Sequence, residues 1–205
     1  MFPKITPAVR AIILVNILVY LLEKVAPVPM EVHFALWPLA SPPSAPFHPW
    51  QLVTYAFLHD PTDIWHIIFN MFALYMFGPL LEQYWGARRF VGYYFVCLIA
   101  AGAAQLAVDY VFHAGGDAIG ASGAIFGILL AFGMLFPRAK LLLYFVIPMP
   151  AWLFVAGYAV LELFFGVTGR EANVAHFAHL GGMLGGALMM LYWRLRPDRG
   201  GWRPA

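Results

Sequence analysis

The chain has 205 residues, 62% of them hydrophobic and 11% charged, with a formal net charge of +2 at pH 7. Soluble globular domains are about 45–50% apolar and about 25% charged. So few charges cannot cover a water-facing surface, which excludes a disordered chain, a coiled coil, a collagen and a water-soluble enzyme, and leaves an integral membrane protein. The small net charge, and the absence of any basic stretch interleaved with base-stacking aromatics, argue against a nucleic-acid partner. The single cysteine, Cys97, lies in an apolar run and offers neither a disulfide framework nor a thiolate metal site.

A helix crosses the hydrocarbon core with about 20 apolar residues. Six stretches meet or approach that requirement, at about residues 9–25, 64–81, 90–112, 119–136, within 141–165 and 174–193. Arg10 and Lys24 can snorkel from the ends of the first, which is read as a retained helix rather than a signal peptide because Glu23-Lys24 follow it without a small-x-small cleavage site. The fifth is interrupted by Pro148 and Pro150. The fourth is short: 15 residues from Ser122 to Phe136 rise about 22 Å, against a core of about 30 Å.

Six crossings put both termini on one side. Lys4, Arg10, Arg88, Arg89, Arg138, Lys140, Arg194, Arg196, Arg199 and Arg203 then share that side, and Lys24 and Arg170 face the other, out of 12 basic residues. The asymmetry assigns the termini to the cytoplasm. Between the first two stretches runs a long outer loop, about 26–63, with eight prolines from Pro27 to Pro61 and with Phe34, Leu36, Trp37, Phe47, Trp50 and Leu52 spread through it. Its aromatic content predicts a loop lying in the membrane interface, and its length without an evident helical or strand pattern suggests a functional role.

Polar residues in apolar helices are costly and mark function by default. The second stretch carries His66 and Asn70, four apart and on one face; the fourth opens with Gly120-Ala121-Ser122-Gly123; the sixth carries His176 and His179 followed by Gly181, Gly182, Gly185 and Gly186. Gln105, Asp109 and Glu162 complete the set. Each has a plain structural reading: Ser122 as a cap or packing residue, Gly123 and Gly127 as a GxxxG contact, the histidines and Asn70 as interhelical hydrogen bonders. His176 and His179 are three apart, as two metal ligands can be, but no HExxH and no nearby third carboxylate accompanies them in sequence. Together the residues suggest more. A serine nucleophile needs a base to take its proton, and glycines on both stretches would let the fourth and sixth helices approach closely enough to supply one. A helix N-terminus below the outer surface is tolerated if it lines a hydrated cavity, and its unpaired N–H groups favour developing negative charge.

At these residues the sequence resembles the rhomboid family of intramembrane serine proteases. The matching text is Trp50 to His59 (WQLVTYAFLH), His66 with Asn70, Gly78 to Glu82 with Gly86, GASG at 120–123 and AHLGG at 178–182, in that order over essentially the whole chain. The resemblance implies a single all-α domain, residues 1–205 with a core of about 8–194: a six-transmembrane-helix bundle with a short central fourth helix and an interfacial loop after the first. It implies a Ser122–His179 dyad, an oxyanion hole formed by the side chains of His66 and Asn70 with the Ser122 N–H, and Phe126 against the catalytic imidazole, with Gly120, Gly123 and Gly182 in support. His179 is preferred to His176 as the base because its spacing to Gly182 fits the motif. The family's Trp-Arg pair is Trp50-Gln51 here, so arginine-dependent anchoring of the loop is in doubt. No cofactor, metal or nucleic acid is implied; the expected partners are the lipid bilayer and transmembrane protein substrates. Tails of about ten residues leave no large soluble domain, and the compact form suggests a prokaryotic inner membrane. The rival readings are a non-proteolytic membrane-helix binder, a small transporter relaying protons through Asp109 and Glu162, and, least favoured, a metalloprotease, which insensitivity to chelators would exclude.

Overall fold

The computed structural model describes residues 3–112, 116–143, 146–169 and 175–196. Arg170, Val174, Arg199 and Arg203, which the sequence reading uses, lie outside the described residues. The elements run α1 (Pro7–Val25), α2 (Pro27–Phe34), α3 (Gln51–Thr54), a 3-10 turn (Tyr55–Phe57), α4 (Ile64–Trp85), α5 (Ala87–Phe112), α6 (Ser122–Leu135), β1 (Lys140–Leu143), β2 (Ile147–Pro150), α7 (Ala151–Thr168) and α8 (His176–Leu195). Three of these helices, α4, α5 and α7, are long and apolar enough to cross a membrane, and α6 is a shorter apolar helix. The protein is therefore a mainly helical integral membrane protein.

Helix α6 sits at the centre, against α4, α5, α7 and α8. Its sequence is apolar on every side, and a helix of that kind is buried; all its residues but Ser122, Leu130 and Met134 are enclosed. Small residues set the spacing. A Cβ on Gly181 would lie 2.4 Å from the Ala104 Cβ, and one on Gly185 2.4 Å from the Ala100 Cβ, so α5 and α8 meet almost backbone to backbone. The ends of α1 are tied by buried acids. Glu82 on α4 accepts from the N–H groups of Ala8 (3.0 Å) and Val9 (2.9 Å) and from the Thr6 hydroxyl, satisfying donors that the start of α1 leaves open.

Two features depart from the sequence reading. Pro148 and Pro150 do not interrupt the fifth helix. They belong to β2, which pairs antiparallel with β1 (Lys140 opposite Pro150, Leu143 opposite Ile147), and α7 starts at Ala151 only after them. In a two-stranded ribbon each strand has a free edge, where a residue lacking an N–H is tolerated. The outer loop, in turn, is organised. It holds α2, α3 and the 3-10 turn, gathered around Gln51, which is fully buried. The Gln51 Oε1 accepts from the N–H groups of Trp37 (3.3 Å) and His48 (3.1 Å), while its Nε2 donates to the carbonyls of Pro46 (3.2 Å) and His33 (3.5 Å). A neutral carboxamide thus does the anchoring that the missing arginine left in doubt, with one group supplying both donors and acceptors. Trp50 Nε1 and Thr54 Oγ1 add bonds to the carbonyls of His33 (2.9 Å) and Phe34 (2.7 Å).

His59 closes this loop against α1 and α4. Its N–H donates to both oxygens of Glu23 (3.0 and 3.2 Å), and its ring is fully buried, 5.0 Å from the His66 ring. Burial, reinforced by the neighbouring His66, pushes the His59 pKa down to about 3. The unfolded chain binds this proton below about 6.5, and the folded chain does so only near 3. Stability therefore falls as pH drops from about 6.5 toward 3, by up to about 1.4 kcal/mol per pH unit from this ring. In thermal unfolding of the detergent-solubilised protein, His59→Gln should show a shallower acid decline in Tm than wild type; identical slopes would contradict this assignment.

Candidate active site

Ser122 is the first residue of α6, and the segment before it is held from two directions. Leu36 and Ala118 exchange two backbone hydrogen bonds at 3.0 Å, and the Gly120 N–H donates to the Tyr55 carbonyl at 2.9 Å. Gly120 has φ +119°, a conformation that strongly favours glycine, and a Cβ there would lie 2.7 Å from His66 Nε2. The loop thus fixes where α6 begins, and the glycine lets the His66 ring lie against the backbone beside Ser122.

His179, in the first turn of α8, brings its Nε2 to 2.7 Å from the Ser122 Oγ across 57 residues of sequence. Glycines make this approach possible. A Cβ on Gly182 would fall 1.9 Å from the Gly123 carbonyl oxygen, and one on Gly123 would fall 2.5 Å from the Ala101 Cβ. The Phe126 ring stacks on the His179 ring with centroids 4.2 Å apart at 12°, and meets Tyr158 of α7 edge-on at 6.0 Å. The stack restrains the imidazole plane while leaving both ring nitrogens at its edge.

His66 and Asn70 occupy one face of α4. The Asp60 N–H donates to His66 Nδ1 at 3.3 Å. This assigns the ring proton to Nε2, the nitrogen next to Gly120, and makes His66 a donor toward the serine side of the pocket. Asp60 is held in place because its carboxylate accepts from the Thr62 hydroxyl (2.6 Å) and N–H (2.7 Å), which keeps its pKa below the usual range. The Asn70 Nδ2 donates to the His66 carbonyl one turn back at 2.8 Å, and the carboxamide nitrogen has a second N–H beyond that bond.

A carboxylate to which the sequence assigns no part in the dyad also reaches this cluster. Glu162 of α7 is buried, with Oε2 2.7 Å from His176 Nδ1 and 2.9 Å from His179 Nδ1. Its only signal in the sequence was an acid in an apolar helix, and nothing there indicated which side of α7 it occupies. Asp109 lies apart from this arrangement in its bonding, accepting at 2.9 Å from Gln105 on the preceding turn of α5. One donor atom each from Glu162, His176 and His179 lies within 4.8 Å of the others, so the third carboxylate absent from the sequence neighbourhood is present in space.

Chemically, the arrangement offers a hydroxyl with an imidazole acceptor, an N–H donor beside it, and a helix N-terminus whose first N–H groups favour negative charge. Residues 46–196 match the rhomboid domain family model. The chain is 38% identical over 145 residues to the mitochondrial rhomboid protein 1 of Saccharomyces cerevisiae, covering 69% of this chain and 41% of that protein. It is 35% identical over 171 residues to the mitochondrial RHOMBOID-like protein 12 of Arabidopsis thaliana, covering 72% and 47%. It is also 33% identical over 137 residues to the rhomboid protease GluP of Bacillus subtilis, covering 67% and 24%. The chain spans less than half the length of each of these relatives. With the family model matching most of its length, the chain belongs to the rhomboid family.

Proposed function

We propose that the chain is an intramembrane serine endopeptidase that cleaves membrane-anchored proteins near the outer face of the bilayer. The observation that carries this reading is the 2.7 Å approach of His179 Nε2 to the Ser122 Oγ at the start of a short, enclosed helix. In the proposed reaction His179 takes the Ser122 proton as the Oγ attacks the scissile carbonyl. The tetrahedral oxyanion is held by His66 Nε2–H, the Asn70 carboxamide and the Ser122 N–H. His179 then passes its proton to the leaving amine, and deacylation repeats the sequence with water as nucleophile. The helix N-terminus adds its partial positive charge on the same side.

The same reading takes α1, α4, α5, α6, α7 and α8 as six crossings in one domain, with both termini on the basic, cytoplasmic side. At 14 residues α6 rises about 21 Å, short of a core of about 30 Å, so its N-terminus is reached from the outer side through a hydrated pocket. Substrates enter laterally. Helix α7, which buries only Ala151, Val155 and Glu162, is the gating element this reading favours, beside the outer loop. The prokaryotic inner membrane expected from the compact form gains no support from the relatives named as mitochondrial, and the orientation does not depend on it.

The test is cleavage of a fluorescent single-span substrate co-reconstituted with the full chain in lipid vesicles. Wild type should release the outer fragment and be insensitive to chelators. Asn70→Ala should lose about 10²-fold in kcat with KM little changed, the cost of one oxyanion donor. Chelator-sensitive cleavage, or no cleavage of any single-span substrate, contradicts the reading.

A further inference from the structure

We propose that Glu162 is a positioning residue for His179, extending the pair to a Ser122–His179–Glu162 chain in which His176 holds the carboxylate. The inference rests on the reading of Ser122 and His179 given above. The two ring nitrogens of His179 face different partners: Nε2 lies 2.7 Å from the Ser122 Oγ, and Nδ1 lies 2.9 Å from the Glu162 Oε2. For Nε2 to accept the serine proton, the ring proton must sit on Nδ1, and an acceptor at Nδ1 selects that tautomer. When Nε2 takes the proton the imidazole becomes a cation, and a buried carboxylate beside it stabilises that charge more strongly than the Phe126 face can.

His176 explains why the carboxylate stays there. Its Nδ1 shares a hydrogen bond with the same Oε2 at 2.7 Å, and both residues are buried. A carboxylate oxygen has lone pairs for two donors, so it can serve His176 and His179 together. The His179 contact is close but not aligned, because the Nδ1–H direction misses the oxygen. Catalytic hydrogen bonds in an unliganded enzyme are often poorly aligned and tighten with substrate. The alternative assignment of the same three side chains, as ligands of one divalent cation, fits less well. Donors on a tetrahedral zinc with bonds of about 2.0–2.1 Å stand about 3.3 Å apart, whereas Oε2 lies 2.7 and 2.9 Å from the two Nδ1 atoms, which is hydrogen-bond spacing.

The experiment compares wild type, Glu162→Gln, Glu162→Asp and Ser122→Ala as full chains. It measures kcat and KM on the single-span substrate, the rate of fluorophosphonate labelling, and Tm. Glu162→Gln keeps the shape and removes the charge. It should lower kcat and the labelling rate together by about 10²-fold, with KM within about threefold and Tm little changed. Glu162→Asp retains the charge at longer reach and should recover about tenfold of that loss. The proposal is overturned if Glu162→Gln stays within about threefold of wild type, if Glu162→Asp is no faster than Glu162→Gln, or if the losses track Tm across the variants. It is also overturned if a chelator abolishes activity and zinc restores it. If wild type itself neither cleaves nor labels, the serine-protease reading fails and takes this one with it. An active wild type with inactive Ser122→Ala and fully active Glu162→Gln sinks only the role of Glu162.

Discussion

Ser122→Ala and His179→Ala should each reduce substrate cleavage by about 10⁴-fold or more, with KM close to wild type. The two losses should be similar, and the double variant should be no worse than either alone, because nucleophile and base act as one unit. The structural ground is the 2.7 Å contact between them. Stability should hardly change in Ser122→Ala, because Ser122 is half-buried and loses only its hydroxyl, whereas His179→Ala removes a buried ring from its stack on Phe126 and should lower Tm without unfolding the chain. Equal effects on kcat with an intact fold would separate this role from the packing role that a serine in a small-residue motif would otherwise have. A His179→Ala variant retaining a tenth of wild-type activity would show that another group takes the serine proton.

The second large effect is Gly182→Ala. A methyl there would sit 1.9 Å from the Gly123 oxygen and 2.7 Å from its carbonyl carbon. Both are backbone atoms of an enclosed helix and have no rotamer to move into. The only relief is to push α6 and α8 apart by about 1.5 Å, to restore an ordinary contact distance. Ser122 neighbours Gly123 and His179 lies one turn before Gly182, so the same displacement opens the dyad. A 1 Å misplacement can cost about 10²-fold in rate, and overpacking at a rigid contact costs about 3 kcal/mol. Gly182→Ala should therefore lose both activity and Tm, whereas Gly92→Ala, where a Cβ meets nothing within 4 Å, should change neither by much. If Gly182→Ala is as active and stable as wild type, the close crossing of α6 and α8 is wrong.

Much of this was legible in the sequence. Hydropathy placed five of the six apolar helices to within a few residues, since a run that must bury or face lipid over its whole length leaves little freedom at its ends, but it ran the fifth together with the hairpin before it. The pairing of Ser122 with His179 followed from the family motifs, and the glycines on both helices gave the physical reason they could meet. What stayed hidden depended on rotation and on long-range polar contacts. Helix α7 is apolar nearly all round, so hydropathy does not say which side Glu162 takes; only its packing against α8 turns the carboxylate to the histidines. Gln51 stands where the family motif has an arginine, yet its four hydrogen bonds gather separate points of the loop before it, from His33 to His48, a pattern with no periodic signature. Pro148 and Pro150 fall inside an apolar stretch of spanning length. They are breakers, but they end a hairpin that periodicity could not register in four-residue strands.

The most direct measurement is mass-spectrometric mapping of the adduct formed when the membrane-reconstituted full chain reacts with a fluorophosphonate. The account predicts a single modified residue, Ser122, with labelling lost in His179→Ala. Ordinary serines lack the paired imidazole that activates the hydroxyl. An adduct on another residue, or equal labelling of Ser122 with and without the His179 imidazole, would contradict it.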